Sequence, residues 1–499
     1  LLKVQKLLSR IALGLFLLIY GWIFIQVMFN NHNGQSALLL LPLTACLCLL
    51  FYFLYGAFAR ATDKQAQRAL FIFMAVSAAV QIYVGHCLRY IPAWDIDAVF
   101  GGGRDWAVTG NFDNYARYFD EQTANLGCLF VFRCVFWVYH TFGGQDFFMA
   151  AVVFTTLLLQ AGVWAVFDVC RRLAGWRGGI MALVIIGLFL PFYTMGAAFY
   201  TDALSLCFTM LTIAFYLRAR GAKPVKRKLI LYIAAGVAAA VGAIIKFTAM
   251  IPLIALAIDF VLKQKKWKWA QLKRSLPGLG AAVCAAAVLV ASFYVYIGTK
   301  RSQNSDKLRL PLTHWVMMGL KDDGQYNGED FSFSFSQPTL EIRKNAIAEE
   351  IRQRVSDMGP LGLLGLFGRK LSISFASGTF KQHDFFHLQP QNQTALHDIV
   401  ARSDAKHFDA YNHISTAMLL ALIVLGLAGA YKMLRKPGFC APYIALVGLA
   451  LFLLIWETNN RYTLNHLPVI ILCAVMGLKT LLQYPSGTRP KPLSSASGE

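Results

Sequence analysis

Residues 126–142 read LGCLFVFRCVFWVYHTF, and their assignment decides how often the chain crosses a membrane. Hydropathy alone makes the stretch a transmembrane helix. Yet Arg133, Trp137 and His140 fall at i, i+4 and i+7, on one helical face. Phe130, Phe132 and Phe136 lie largely away from that face. Such a pattern fits an amphipathic helix lying in the membrane interface. A crossing here would also invert every later connection, so the interfacial reading is adopted.

Outward from that stretch, apolar runs long enough to cross a hydrocarbon core of about 30 Å recur on both sides. They are 11–29, 37–58, 69–88, 147–169, 178–196, 201–218, 229–244, 247–263, 276–297, 412–432, 440–456 and 466–483. The first run predicts a retained helix rather than a cleaved signal peptide, because a second follows it closely. Composition agrees: 57% of the 499 residues are hydrophobic and 15% are charged, where soluble domains carry about 25% charged residues. The prediction is an all-α polytopic membrane protein of about 12 transmembrane helices. Only a helical bundle satisfies the backbone amides of such spans in lipid.

The formal net charge is +21, which by itself would suggest a nucleic-acid partner. The distribution excludes that reading. With an interfacial 126–142, the loops on one side hold most of the 47 Lys and Arg and few of the 26 acids. Clusters such as RARGAKPVKRK (218–228) and KQKKWKWAQLKR (263–274) then mark the cytoplasmic side and touch anionic lipid heads. Both termini are predicted inside, in a plasma membrane. The 10 cysteines are scattered mostly through apolar runs and form no disulfide framework or zinc spacing.

Two long external segments emerge, 89–146 and 299–411. The predicted organisation is a helix pair (1–68), a core (69–298) with the first external loop, the segment 299–411, closing helices (412–483) and a disordered tail (484–499). Within the second segment, residues 339–357 place Leu340, Ile347, Ile351 and Val355 on one stripe after Pro338, which predicts an amphipathic helix. Residues 359–367 (GPLGLLGLF) are expected to dip toward the bilayer.

Ionisable residues at the ends of membrane helices are costly and point to function. Four external ends carry them: YIPAWDID (90–97), FYTD (199–202), AIIKFTAMIP (243–252) and ETNNRYTLN (457–465). Plain alternatives exist at each. Asp95 or Asp97 could solvate a loop, Asp202 could cap a helix, Lys246 could snorkel, and Glu457 with Arg461 could form an i, i+4 pair. A common outer face favours one cavity lined by Asp95, Asp97, Asp202, Lys246, Arg461 and Tyr462. Arg133, His140 and His314 are further candidates for contact with substrate.

At these residues the chain resembles the GT-C superfamily of membrane glycosyltransferases, in the branch of the protein mannosyltransferases and aminoarabinose transferases (glycosyltransferase family 39). The likeness is dispersed over roughly 69–483. Trp94-Asp95 leading to Gly110 is similar to the family's first external loop, with its short helix ending in glycine. Phe142-Gly143 resembles the close of its second juxtamembrane helix. Arg171-Arg172 with Gly175-Trp176-Arg177 is similar to its basic cytoplasmic turn. Phe199-Tyr200-Thr201-Asp202 resembles its second acidic position, Ile245-Lys246-Phe247-Thr248 its lysine turn near the carrier phosphate, and Arg461-Tyr462 its late Arg-Tyr pair. Residues 313–330 resemble a stretch in uncharacterised proteins of this type from Gram-positive bacteria. The chain departs in its two extra leading helices and in Asp95-Ile96-Asp97 where the family has Asp-Glu.

The resemblance implies a polyprenyl-phosphate sugar donor and a cell-envelope glycan, lipid or protein as acceptor, with inversion at the anomeric carbon. A carboxylate, Asp95 or Asp97, would be the base. Lys246 and Arg461 would stabilise the leaving phosphate, with Arg133 or His140 assisting. No cofactor is required, the alternative being a divalent ion held by Asp202 with Asp95. Two rival classes use the same charges: a transporter or flippase of a lipid-linked intermediate, and a polysaccharide polymerase or ligase. Transporters usually carry charges at mid-membrane and internal repeats, whereas these charges cluster at external helix ends.

Overall fold

The computed structural model describes residues 2–30, 34–262, 269–301, 305–387 and 389–482. The tail 484–499 and part of the basic cluster 263–274 lie outside these residues. The longer helices in chain order are α1 (Leu2–Phe29), α2 (Ala37–Ala57), α3 (Asp63–Cys87), α4 (Trp94–Thr109), α5 (Leu126–Thr141), α6 (Phe147–Leu188) and α7 (Thr201–Gly221). They continue with α8 (Val225–Ile245), α9 (Ile251–Leu262), α10 (Trp269–Gly298), α11 (Leu340–Ser374), α12 (Phe408–Met433), α13 (Ala441–Ile455) and α14 (Leu467–Leu482). Among the described residues there is no β-strand, only an isolated bridge between Tyr90 and Pro390 that ties segments 89–146 and 299–411 together.

Nine helices of the described residues are long and apolar enough to cross a membrane, and Phe247–Leu262 and Ala441–Ile455 are shorter apolar helices. The predicted twelve are reached because α6 is two spans in one. Its 42 residues would extend about 63 Å as a straight rod, twice a hydrocarbon core. Gly175, at φ 76° and ψ −178°, breaks it, a conformation that costs glycine little.

The stretch read as interfacial is a helix of 16 residues, about 24 Å long. It packs on α4, α6 and α8, burying Phe132 and Phe136 while Trp137, His140 and Phe142 stay exposed. Its approach to α8 is very close: a Cβ on Gly127 would lie 1.8 Å from the Ile244 carbonyl oxygen.

The two leading helices are packed into the bundle. α1 lies against α11, α12 and α13, and α2 against α12; Tyr20 donates from its hydroxyl to the Leu446 carbonyl at 3.0 Å. Capping follows the sequence where it can. Thr62 and Gln65 form a reciprocal capping box at the start of α3, and Thr339 accepts from the Ile342 amide at the start of α11. α11 continues past the predicted 339–357 to Ser374, bent at Gly359 (φ 57°). Beyond the bend it exposes Leu361 and Leu364.

Lysine and arginine serve as buried struts in the segment 299–411. Lys370 donates to the carbonyls of Gly319, Leu454 and Trp456 at 2.7, 2.9 and 2.7 Å. That uses all three ammonium hydrogens and caps the C-terminal end of α13. Arg343 donates to the carbonyls of Lys307, Arg309, Ser334 and Gln337. Arg343 thus braces the segment internally, and Lys370 ties it to the end of α13, just before Glu457.

Candidate active site

Four chain segments meet in one charged cluster. α4 brings Asp95 on its first turn, α7 brings Asp202 on its first turn, the end of α8 brings Lys246, and the 3-10 turn Asn460–His466 brings Arg461 and Tyr462. Lys246 Nζ lies 2.5 Å from Asp202 Oδ1. Arg461 stands between the two acids, its Nη2 3.7 Å from Asp95 Oδ2 and its Nε 4.0 Å from Asp202 Oδ2. The side chains of Asp202, Lys246 and Arg461 are 5, 14 and 20% exposed, whereas that of Asp95 is 43% exposed.

The N-cap of α7 is Tyr200, with no side-chain cap, and Asp202 lies inside the first turn. Its carboxylate is therefore paired with cations rather than bonded as a cap. Lys246 does not snorkel outward but is buried against Asp202 and the Tyr462 ring, 4.3 Å from the ring centroid. Glu457 accepts from the Tyr462 hydroxyl at 3.2 Å, and burial raises its pKa against the pull of Arg461.

Tyrosines hold Asp95. Tyr118 donates from its hydroxyl to Asp95 Oδ1 at 2.7 Å, and the Tyr200 hydroxyl lies 3.2 Å from Asp95 Oδ2. Asn125 bridges the two phenols: its Nδ2 donates to the Tyr118 hydroxyl at 2.5 Å, and its Oδ1 is 3.2 Å from the Tyr200 hydroxyl. The Arg461 guanidinium stacks 4.8 Å over the Tyr200 ring. A network of this kind fixes a carboxylate in place while leaving it partly open. Trp94, directly before Asp95, sits at φ 53°, a left-handed conformation costing a non-glycine residue about 1–2 kcal/mol.

Asp97, two residues on, points elsewhere. Its carboxylate is 3.4 Å from the Tyr115 hydroxyl, and burial raises its pKa, opposed by Tyr115 and Arg104. Arg133 stacks between Trp106 and Trp137, 5.8 and 5.6 Å from their centroids. His140 is exposed and meets the Phe147 ring. His314 is buried against Trp315 and Phe331, its Nδ1 2.7 Å from the Ser334 hydroxyl. Among the described residues, none of these three contacts Asp95, Asp202, Lys246 or Arg461.

Beneath the cluster the chain is polar as well. Asn465 donates to Ser205 and Thr248 at 3.2 and 2.9 Å, and His466 Nδ1 is 2.8 Å from Asn465 Oδ1. Beyond it lies an apolar crevice between α6, α7 and α14, lined among others by Leu159, Phe189, Met195 and Pro468. Tyr118, Asn125 and Glu457 were not singled out as site residues from the sequence. Tyr200 had a signal in its place beside Asp202. For Tyr118 and Asn125, loop residues with no regular spacing to Asp95, there was none.

No curated protein matches the chain. Among solved structures, the crystal structure of ArnT from Cupriavidus metallidurans bound to undecaprenyl phosphate is similar at 16% identity, over 82% of this chain and 77% of that chain, with a TM-score of 0.37. The family described as "Conserved hypothetical integral membrane protein" matches residues 27–481, and the chain belongs to that family.

Proposed function

We propose that this multi-pass membrane protein is an inverting glycosyltransferase that moves a monosaccharide from a polyprenyl-phosphate donor to a cell-envelope acceptor on the outer face. The observation that carries the reading is the placement of one partly open carboxylate, Asp95, 3.7 Å from Arg461, with Lys246 buried behind it. In the proposed step the acceptor hydroxyl attacks the anomeric carbon as the bond from that carbon to the phosphate oxygen breaks. Asp95 takes the hydroxyl proton. The polyprenyl phosphate leaves with the bonding electrons, and Arg461 and Lys246 stabilise the charge it gains. Tyr118, Tyr200 and Asn125 position the base; Tyr462 lies beneath the ammonium of Lys246.

Asp97 is held in reserve as base, and Arg133, His140 and His314 are assigned to more distant substrate contacts or to packing. No step is routed through a metal. Arg461 already lies between Asp95 and Asp202, so a divalent ion bridging both would have to displace it. Among the described residues no group of three or more His, Cys, Asp or Glu is placed to hold one.

The test uses the purified chain in proteoliposomes with a panel of polyprenyl-phosphate monosaccharides, following release of free polyprenyl phosphate. The proposal expects release that depends on the added acceptor, persists in chelator, and is lost in Arg461→Ala. Translocation of intact donor without cleavage would establish a flippase instead. Consumption only of lipid-linked oligosaccharide would establish a polymerase or ligase.

A further inference from the structure

The end of the bundle opposite the Asp95 cluster carries a second charged arrangement that the proposed reaction does not use. Asp168, on the first arm of α6, is 3% exposed in its side chain. It accepts from Arg171 Nη2 at 2.7 Å, Arg172 Nε at 2.8 Å and Arg218 Nε at 2.8 Å. Among the described residues, all three arginines pair with this one carboxylate. One arginine would neutralise it. Two positive charges are surplus, on side chains open enough for an anion to reach them.

From this geometry we infer that the Arg171, Arg172 and Arg218 cluster is a binding site for the phosphate headgroup of an anionic phospholipid. Asp168 takes one N–H from each guanidinium, and each guanidinium has five. Side-chain exposures of 27, 32 and 29% leave remaining donors facing outward. Two of the planes are held by aromatic rings, Arg171 4.6 Å over Trp176 and Arg218 4.6 Å over Trp164. The result is a preorganised set of forks of the kind that binds phosphate in bidentate fashion.

Position selects a lipid as the source of that phosphate. α7 runs from Asp202 at one end to Arg218 sixteen residues later, about 24 Å along the axis and close to the depth of a hydrocarbon core. The cluster therefore sits at headgroup level on the opposite face. Trp164 and Trp176 are the residues expected at that level. Apolar side chains on α8, which starts from this face, are exposed to lipid at Leu229, Ile230 and Ile233. Basic pockets between helices at a membrane surface are known to hold anionic headgroups.

The full chain, purified into neutral detergent micelles, would be titrated with phosphatidylglycerol or phosphatidylcholine and bound lipid counted by native mass spectrometry. The expected result is retention of phosphatidylglycerol about tenfold above phosphatidylcholine, falling to parity in Arg171→Gln/Arg172→Gln. Lys226→Gln/Arg227→Gln/Lys228→Gln, which removes three charges from the same face outside the cluster, should leave the preference intact. Equal retention of the two lipids by the unaltered chain would overturn the inference. So would an equal loss in the loop variant, which marks diffuse attraction, or displacement of the lipid by excess inorganic phosphate. Should the glutamine variant not fold, Arg171→Lys/Arg172→Lys keeps the charge and loses the forks; unchanged preference there would also contradict the assignment.

Discussion

The ammonium of Lys246 lies 2.5 Å from the carboxylate of Asp202, joining the end of α8 to the start of α7 on one membrane face. Both side chains are nearly buried, so the pair is a structural joint as well as a charge source. Removing one partner strands the other in a poor solvent, a loss of about 3–5 kcal/mol.

The first prediction follows from that coupling. Lys246→Ala and Asp202→Ala should each destabilise the protein in detergent, and the double variant should be no worse than the poorer single one. Fluorescence-monitored melting of the four proteins checks this. Strict additivity would mean that the two charges do not interact in the folded state.

A second prediction separates the two acids of α4's first turn. Tyr118→Phe removes a hydrogen bond to Asp95 and should lower transfer roughly tenfold, the worth of a bond to a charged group, with little change in apparent donor affinity. Tyr115→Phe and Asp97→Asn, acting on the other carboxylate, should retain transfer within a factor of a few. Release of polyprenyl phosphate by the four proteins is the readout.

The third concerns close packing. A side chain at Gly127 meets the Ile244 carbonyl at 1.8 Å, so Gly127→Ala must push α5 from α8. Overpacking of this kind costs about 1–3 kcal/mol. The same shift moves Asn125, two residues away, from Tyr118. Thermal stability and transfer should fall together.

A fourth prediction concerns pH. Burial pushes the His314 imidazole down to about 4 from an ordinary 6.5, opposed by Asp330. Between those values the unfolded segment binds a proton that the folded one does not. Stability that is full above pH 6.5 is therefore lost as pH falls toward 4. Hydrogen exchange across residues 313–336, corrected for intrinsic rates, should quicken from pH 7 to pH 5, and His314→Gln should flatten the trend.

Much of the fold was legible because lipid imposes one rule on every span: a long apolar run with its backbone satisfied internally. That rule located α1, α3, α7 and α12. It also found both arms of α6, where Gly175-Trp176-Arg177 marks the break. The amphipathic face of Arg133, Trp137 and His140 kept α5 out of the count of crossings. The charged helix ends were legible for a related reason, since Asp202, Lys246 and Arg461 interrupt apolar sequence. What surrounds Asp95 was not. Its contact with Tyr200 spans 105 positions, and nothing in the pattern of a loop announces which phenol folds back on which carboxylate. Likewise, periodicity put Arg133 on a face but did not say that Trp106 and Trp137 would flank it.

Asp95 is proposed here as the base for transfer from a polyprenyl-phosphate sugar. The most direct measurement compares cells with the intact gene, without it, and with Asp95→Asn at equal expression, by mass analysis of extracted polyprenyl lipids and of envelope polymers. A polyprenyl-phosphate monosaccharide should accumulate both without the gene and with Asp95→Asn, while one sugar is lost from an envelope component. Full restoration of that sugar by Asp95→Asn, with no accumulated donor, would contradict it.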